Sequence, residues 1–203
     1  MKLLILDRDG VINVDSDQYI KTPEEWQALP CSLEAIAKLC RNDYKIVVTT
    51  NQSGIARGLF NMSMLNKINN RMLTQVRQKG GDIAAVLFCP HGPEDGCNCR
   101  KPMPGMFNEL AMRMKTSLLG VPAVGDSLRD LQATRAARAF PVLVRTGKGE
   151  QTLASRDKDW LAQVPVFDDL AHFADALLQG ELDQRIAEFV DSSTRGPCPD
   201  SLR

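Results

Sequence analysis

Short apolar segments alternate along this chain with longer segments that have apolar residues at helical spacing. The stretch at 46–50 is continuous and rich in β-branched residues, which is typical of a strand buried on both faces of a parallel sheet. This alternation predicts an α/β fold, a three-layer Rossmann-like domain with a mainly parallel central sheet. The predicted strands are 2–6, 45–50, 84–89, 122–124, 141–144 and 164–167.

The segments between the predicted strands have the pattern of amphipathic helices. We expect Ser32 to cap one helix and Ser63 to begin another. A third helix should have Pro104 in its first turn, and the last should run from residue 168 to about residue 190. No intervening segment has room for a large cap domain, so short loops, such as residues 15–22, must cover any ligand.

The length of 203 residues and the 43% of hydrophobic residues suit one domain with a sizeable core. We expect this domain to span residues 1–190. The remaining residues, 191–203, are rich in Ser, Pro, Asp and Arg and show no periodicity, which predicts a disordered tail.

The chain carries 25 acidic and 25 basic residues, so its net charge is +0. Because no overall field would attract a nucleic acid or an anionic membrane, we expect neither as a partner. The apolar run at the N-terminus is broken by Asp7 before it reaches the length of a signal peptide, which predicts a cytoplasmic protein. The pattern leaves no second apolar stripe for a partner chain, and this favours a monomer.

Asp7 and Asp9 follow the first predicted strand in the sequence Asp-x-Asp-Gly. Strand alternation would place both carboxylates on the same side, where they repel each other unless they share a cation or a proton-transfer task. The pair suits hydrolysis of a phosphate monoester, with Asp7 attacking phosphorus and Asp9 protonating the leaving alkoxide and then deprotonating water. The alternative is a pair of turn-forming residues, since Asp-Gly favours turns.

A second acidic cluster, Gly-Asp-Ser-Leu-Arg-Asp, follows the strand predicted at 122–124. Asp126 can complete an octahedral Mg²⁺ site with Asp7 and the backbone carbonyl of Asp9. Asp130 lies one helical turn further on, so we expect it to support the site rather than to bind the ion directly. The alternative for Asp126 is a helix N-cap.

Neutral hydrogen-bond donors follow the strand predicted at 45–50. The hydroxyl of Thr50, the amides of Asn51 and Gln52 and the backbone N–H groups of a turn suit the oxygens of a phosphate. Because ligands of parallel sheets bind beyond the carboxyl ends of the strands, we expect these donors to face the two acidic clusters.

Three of the six cysteines and one of the two histidines lie within residues 89–99. In a cytoplasmic chain such a cluster indicates a metal rather than disulfides. The pattern Cys-x-His followed by Cys-x-Cys supplies a closed Cys₃His set that suits a structural Zn²⁺, with the ligands Cys89, His91, Cys97 and Cys99. The alternative is four unrelated residues of a loop.

Arg100 and Lys101 follow the cysteine cluster directly. A loop fixed by zinc would direct these cations at the expected ligand site beyond the carboxyl ends of the strands. There Lys101 can bind the Asp7 carboxylate and the phosphate, and Arg100 can bind another oxygen of the substrate. Two adjacent basic residues on a solvated surface are the alternative.

Four stretches carry a resemblance to a known family: LDRDGVIN, TNQSGIARG, CPH with CNCRKPMPGM, and VGDSLRD. They resemble the motifs of phosphatases of the haloacid dehalogenase (HAD) superfamily, and within it those of the D-glycero-D-manno-heptose-1,7-bisphosphate 7-phosphatases. The resemblance spans roughly residues 2–147. It implies a Mg²⁺-dependent enzyme with a structural zinc loop and an aspartyl-phosphate intermediate, which serves the synthesis of nucleotide-activated heptose for lipopolysaccharide or other glycans.

The resemblance also implies a role for each matching residue of this sequence. Asp7 is the implied nucleophile and Asp9 the implied acid and base. The other implied roles are Mg²⁺ binding by Asp7, Asp9 and Asp126, phosphate binding by Thr50, Asn51 and Lys101, contact with the sugar bisphosphate by Arg100, and zinc binding by Cys89, His91, Cys97 and Cys99. Beside these, we expect Gln52, Asp15 and Tyr19 to bind phosphate or substrate and Asp130 to support the metal site.

Three other functions compete with this one. Histidinol-phosphate phosphatases share the motifs and the zinc loop, but their cationic substrate would favour acidic loops, whereas a second phosphate favours Arg100 and Arg129 beside Ser127. A DNA 3′-phosphatase fits poorly with the zero net charge. A non-catalytic phosphate- or zinc-binding module fits poorly because every catalytic position holds a chemically competent residue.

Overall fold

Six strands form one sheet in the order β3-β2-β1-β4-β5-β6, and the computed structural model describes residues 2–155 and 161–194 of the chain. The strands are β1 Lys2–Leu6, β2 Tyr44–Asn51, β3 Ala85–Cys89, β4 Pro122–Gly125, β5 Phe140–Val144 and β6 Val166–Phe167. All strand pairs are parallel. From β1 the next strands along the chain are added on one side, and from β4 they are added on the other. Parallel sheets form ligand crevices at such a point, between β1 and β4. The predicted α/β class is confirmed.

Helices connect the strands and cover the sheet. They are α1 Ser32–Arg41, α2 Met62–Gln78, α3 Gly105–Met114, α4 Leu128–Ala136, α5 Gly149–Leu153, α6 Leu170–Leu178 and α7 Asp183–Thr194, with a 3₁₀ turn at Pro23–Glu25. The short helix α5 and the 3₁₀ turn have too few residues to show a periodic pattern in the sequence. Among the helices of the described ranges, none combines the length and the apolar character needed to cross a bilayer.

Strand β1 lies in the middle of the sheet and contributes to two hydrophobic cores. Leu4 and Leu6 join the core formed with α1, α2 and α6, whereas Leu3 and Ile5 join the core formed with α3. Burial of each such side chain contributes about 1.5–3 kcal/mol. The strand that delivers Asp7 to the crevice is therefore held firmly on both faces.

Two predicted helix starts are wrong. Helix α1 is preceded by Cys31 in a left-handed conformation, and the Ser32 hydroxyl does not cap the helix but donates to the carbonyls of Ile12 at 2.7 Å and Leu29 at 2.9 Å. Helix α2 begins before Ser63, because Asn61 is its N-cap and accepts a hydrogen bond from the N–H group of residue 64. Both differences follow from local hydrogen bonds that spacing alone does not reveal.

The single helix predicted from residue 168 to about residue 190 is two helices. Gly180, at φ +79°, reverses the chain between α6 and α7, a conformation that glycine adopts without strain. Helix α7 packs back on the sheet, where Phe189 meets Phe140 edge to face at 5.5 Å. It continues to Thr194, beyond the predicted domain end at 190. Residues 195–203 lie outside the described residues, so their predicted disorder stays a prediction.

The connections that follow the carboxyl ends of the strands are loops. The longest in the described ranges, residues 7–31, has only the turn Pro23–Glu25 and isolated bridges at Asn13 as regular structure. Asn13 pairs with both Asp9 and Ala28, which folds this loop against the end of β1. This arrangement agrees with the absence of a large cap domain that the sequence predicts.

Candidate active site

A cleft of about 290 Å³ opens at the carboxyl ends of β1, β2 and β4. It brings together every residue that the sequence assigns to catalysis, Mg²⁺, phosphate or substrate, from positions 7 to 130 of the chain. These residues are Asp7, Asp9, Asp15, Tyr19, Thr50, Asn51, Gln52, Arg100, Lys101, Asp126 and Asp130. The predicted zinc ligands form a separate cluster beside the cleft.

Lys101 occupies the centre of the cleft floor and is 2% exposed. Its ammonium group donates to Asp7 Oδ1 and to the Thr49 carbonyl, both at 2.9 Å, and it pairs with Asp130 Oδ1 at 2.5 Å. Burial alone would lower the pKa of Lys101, but the carboxylates of Asp130 and Asp7 outweigh burial and raise it. Lys101 is therefore a permanently charged group between two carboxylates.

Asp7, Asp126 and Asp130 each place a carboxylate oxygen within 4.8 Å of the other two. Burial, opposed by Lys101, raises the pKa of Asp7 to about 7, and burial together with Asp130 and Asp7 raises that of Asp126 to about 9. One lysine thus does not neutralise three buried carboxylates. A divalent cation held by oxygen ligands would remove this repulsion, so the group has the charge and the donor atoms of a hard-cation site.

Asp126 is confined by two glycines. A Cβ atom would lie 2.0 Å from Asp126 Oδ2 at Gly10 and 2.1 Å from it at Gly147, and both glycines have positive φ angles. The backbone N–H of Lys148 donates to the same oxygen at 2.8 Å. Only glycine fits at these two positions, because any side chain there would displace the carboxylate.

Asp130 has no free carboxylate oxygen in this arrangement. Its Oδ2 accepts hydrogen bonds from the backbone N–H and the hydroxyl of Ser127, which forms a capping box at the start of α4, while Oδ1 pairs with Lys101. These contacts outweigh burial and lower the pKa of Asp130. The N-cap of α4 is therefore Ser127 and not Asp126. Asp130 supports the site through its ion pair with Lys101.

Asp9 stands apart from the three clustered carboxylates. Arg8 donates to both of its oxygens, from Nε to Oδ1 at 3.2 Å and from Nη2 to Oδ2 at 3.0 Å. Asn13 and Gln52 each add a hydrogen bond at 2.9 Å. Burial would raise the pKa of Asp9, but the Arg8 charge and these hydrogen bonds lower it below its ordinary value.

The three polar residues at the carboxyl end of β2, Thr50, Asn51 and Gln52, have different partners. Gln52 Nε2 donates to Asp9 Oδ2 at 2.9 Å and to Thr50 Oγ1 at 2.8 Å, so Gln52 orients the side chains of Asp9 and Thr50. The Asn51 side chain pairs with the Lys101 backbone, accepting from its N–H and donating to its carbonyl, each at 3.1 Å. Asn51 therefore anchors the segment that carries Lys101, and its predicted contact with phosphate stays a prediction.

The loop with Asp15 and Tyr19 forms one wall of the cleft. Lys148 Nζ reaches Asp15 at 3.0 Å and Asp17 at 3.4 Å, and this contact ties the loop to the segment after β5. The Arg57 guanidinium lies 6.0 Å from the centre of the Tyr19 ring. Both predicted residues, Asp15 and Tyr19, thus lie at the cleft, and the carboxylate of Asp15 is paired with Lys148.

The four predicted zinc ligands converge. The separations among the three Sγ atoms and His91 Nδ1 range from 3.2 to 3.6 Å for the contacting pairs, too long for a disulfide. A tetrahedral Zn²⁺ with Zn–S distances of roughly 2.3 Å requires sulfur atoms roughly 3.8 Å apart, which is close to this spacing. Burial would raise the pKa of Cys97, but the backbone N–H of Arg100 leads the hydrogen bonds that lower it to about 7. The donor set therefore suits Zn²⁺.

Arg100 joins the cysteine cluster to the cleft. Its Nη1 donates to the carbonyl of His91 at 3.2 Å, and its side chain lines the cleft wall. The cysteine cluster thus holds the chain at Arg100, and Asn51 holds it at the next residue, Lys101. The two basic residues that the sequence places together serve different parts of the site.

Sequence reasoning missed several residues of the site, and three of them hold its charged side chains in place. Arg8 binds Asp9 and is 1% exposed, Asn69 of α2 binds Arg8, and Lys148 holds the loop at Asp15. The position of Arg8 between the two aspartates was the available signal. The other two become visible only when the fold brings α2 and the segment after β5 to the cleft.

Comparison with known proteins assigns this site to a family. A family model described as polynucleotide kinase 3 phosphatase matches residues 2–128, and one described as HAD-hydrolase-like matches residues 98–173. A D-glycero-beta-D-manno-heptose-1,7-bisphosphate 7-phosphatase of Bordetella bronchiseptica is 54% identical over 179 residues, which are 88% of this chain and 99% of that protein. The chain belongs to this heptose-bisphosphate phosphatase family of HAD phosphatases.

Other members of the heptose-bisphosphate phosphatase family show the same relationship. A protein of the same name from Pseudomonas aeruginosa is 50% identical over 177 residues, 87% of this chain and 98% of that protein. The crystal structure of D,D-heptose 1,7-bisphosphate phosphatase from B. bronchiseptica, complexed with magnesium and phosphate, has a TM-score of 0.83 and 53% identity. It covers 88% of this chain and 99% of that one. The predicted resemblance is confirmed.

In this member of the heptose-bisphosphate phosphatase family, Asp126→Asn should stabilise the metal-free protein at neutral pH. The pKa of Asp126 rises on folding from 3.8 to about 9, so the carboxyl costs stability above about pH 4 and increasingly toward pH 9. We expect a gain of at least about 1 kcal/mol at pH 7.5 and little gain at pH 4. Urea unfolding of both proteins in the presence of a chelator, at pH 7.5 and at pH 4, measures the change in the free energy of unfolding.

The exposed Asp191 supplies the control for Asp126, since Asp191→Asn should change stability at neither pH. Equal or lower stability of Asp126→Asn at pH 7.5 would contradict the repulsion among the three carboxylates.

Proposed function

We propose that this protein is a Mg²⁺-dependent phosphatase that removes the 7-phosphate of D-glycero-D-manno-heptose 1,7-bisphosphate. The observation that carries the proposal is the convergence of all predicted catalytic residues in one cleft of a chain 54% identical to a named 7-phosphatase. The product retains its 1-phosphate, the group from which a nucleotide-activated heptose is made. Synthesis of lipopolysaccharide or another glycan precursor is the pathway that this product would serve.

Asp7, Asp126 and the backbone carbonyl of Asp9 are the proposed ligands of Mg²⁺. Two of these ligands belong to the group whose mutual repulsion a cation relieves. Bound Mg²⁺ would supply positive charge to the oxygens of the transferring phosphoryl group. The magnesium and phosphate in the B. bronchiseptica crystal structure support this assignment.

Asp7 is the proposed nucleophile. Its carboxylate is held by Lys101, which fixes its orientation and stabilises its ionised form. A new bond forms between the Asp7 oxygen and phosphorus while the bond from phosphorus to the sugar oxygen breaks. Lys101 is also close enough to share the charge of the phosphoryl oxygens.

Asp9 is the proposed acid and base. It gives a proton to the departing sugar oxygen and later takes one from the water that attacks the aspartyl-phosphate, which releases inorganic phosphate and restores Asp7. Arg8 lowers the pKa of Asp9 in the free protein, whereas a phosphate ester docked beside it adds negative charge and raises that pKa. The substrate thus promotes the protonated form that the first step needs.

A second phosphate of the substrate finds positive charge around the cleft mouth. Arg57, Arg100 and Arg129 line the cleft, and Arg57 and Arg129 are exposed. Lys148 forms ion pairs with the nearby acidic residues Asp15 and Asp17. This charge distribution favours a sugar bisphosphate over the cationic substrate of a histidinol-phosphate phosphatase.

The cysteine cluster is proposed to hold a structural Zn²⁺. Its four donor atoms are spaced for tetrahedral coordination, and all four positions are filled by protein atoms. The ion would keep the loop of residues 89–99 ordered, so that Arg100 and Lys101 stay in register with the cleft. A small-molecule substrate, a cytoplasmic location and a monomeric state complete the proposal, and the last two stay predictions.

The substrate proposal predicts a ranking of specificity constants. We expect kcat/KM in Mg²⁺ to be highest for heptose 1,7-bisphosphate, with the β anomer of the relatives' name first. Fructose 1,6-bisphosphate and histidinol phosphate should each be at least about tenfold poorer, because they misplace or lack the second phosphate. Phosphate release measured for all four compounds tests this, and a higher value for histidinol phosphate would exclude the proposal.

Asp7→Asn should abolish turnover, because an amide oxygen is a poor nucleophile toward phosphorus. We expect kcat to fall by at least about 10³-fold while the protein remains folded. The readout is Mg²⁺-dependent phosphate release, together with trapping of the phosphorylated protein by acid quench. Asp191→Asn serves as control, and retained turnover of Asp7→Asn would rule out the aspartyl-phosphate.

Cys97→Ser should lose bound zinc, because a serine hydroxyl is a weak ligand for Zn²⁺. Elemental analysis of the purified protein should show about one zinc in the parent chain and far less in the variant. Activity should fall as well, since Arg100 loses its fixed position. The exposed Cys31→Ser is the matched control. A parent protein without zinc would overturn the assignment.

A further inference from the structure

Arg8 is a buried arginine whose three donor atoms all have partners. Nε and Nη2 donate to the two oxygens of Asp9, and Nη1 donates to Asn69 Oδ1 at 3.0 Å. Asn69 lies on helix α2, 61 positions further along the chain. A chain of direct contacts therefore runs from helix α2 through Arg8 to Asp9.

Asn69 is unusual for its place in the fold. The buried residues of α2 are Leu65, Ile68, Asn69, Met72 and Val76, and Asn69 is their polar member. Asparagine is a poor residue for a helix interior, and burial of its amide is unfavourable without a hydrogen-bond partner. The contact with Arg8 supplies that partner, but this contact alone does not explain why an apolar residue is not used there.

The geometry indicates what Asn69 does for Arg8. Two hydrogen bonds to Asp9 leave the guanidinium able to tilt, whereas a third partner on the opposite nitrogen fixes its plane. Without Asn69, Nη1 would be a buried donor with no acceptor, which is unfavourable. The guanidinium would turn toward another acceptor, and its two hydrogen bonds to Asp9 would weaken.

We propose that Asn69 is a positioning residue for the proton transfer by Asp9 and acts through Arg8. The inference rests on the proposed function, because it takes Asp9 as the group that protonates the leaving sugar oxygen. Asn69 touches neither the substrate nor the reacting atoms. Its contribution is to hold the Asp9 carboxyl where the proton must be delivered.

Asn69→Leu, which removes the acceptor and keeps the branched shape of the side chain, tests the proposal with two substrates. Heptose 1,7-bisphosphate loses an alkoxide that needs a proton, whereas p-nitrophenyl phosphate loses a phenolate that leaves without one. The specificity constant kcat/KM reports events up to the first bond cleavage. We expect it to fall at least about tenfold for the heptose ester and to stay within about threefold for the aryl ester.

The ratio of the two specificity constants does not depend on how much of the sample is folded, because both are measured on one preparation. Asn70→Leu makes the same substitution at the adjacent exposed position, and Met72→Ala removes buried volume from the same helix face. Both controls should leave the ratio unchanged. If Asn69→Leu does not fold, Asn69→Ala is measured in the same way.

An unchanged ratio in the Asn69 variant would overturn the inference, whether both constants fall together or neither falls. Asp9→Asn separates this failure from a failure of the proposed function. If Asp9→Asn lowers the heptose constant selectively and Asn69→Leu does not, only the role of Asn69 is wrong. If Asp9→Asn lowers both constants equally, Asp9 is not the acid and the proposed mechanism fails with it.

Discussion

The arrangement of this site depends on one buried ammonium group among three carboxylates. Lys101 joins Asp7 of the first strand loop to Asp130 of α4, and through the Thr49 carbonyl it contacts β2 as well. Loss of the Lys101 charge from this cluster would cost about 3–5 kcal/mol, because the buried carboxylates would be left uncompensated. The free protein is therefore built around an excess of negative charge, which a divalent cation would neutralise.

The cleft divides into a rigid floor and an adjustable rim. The floor residues lie at or near the ends of buried strands and are held by hydrogen bonds, such as the pair between the Asn51 side chain and the Lys101 backbone. The rim consists of exposed side chains such as Arg57 and Arg129 and of the loop that Lys148 holds through Asp15. In the proposed mechanism, phosphoryl transfer takes place on the floor and the sugar is recognised at the rim, so the two tasks use different parts of the chain.

Much of this arrangement was predictable from the sequence, because it depends on local patterns. The strand ends follow from apolar runs that stop at polar residues, and the meeting of Asp7, Asp126 and Lys101 follows from the rule that parallel strands end at one edge. Contacts between distant segments were not predictable. The pairing of Arg8 with Asn69 needs the packing of α2, and the break at Gly180 looks in the sequence like one glycine within a continuous apolar pattern.

The two glycines that enclose Asp126 limit how this enzyme can change. With Cβ positions 2.0 and 2.1 Å from the Asp126 carboxylate, neither Gly10 nor Gly147 can accept any other residue without moving the carboxylate. Point substitution at these two positions therefore cannot add a side chain to the floor of the cleft without displacing the Asp126 carboxylate. New substrate preferences, in natural divergence or in the laboratory, have to arise from the surrounding loops, which can vary in length and charge while the reaction centre stays the same.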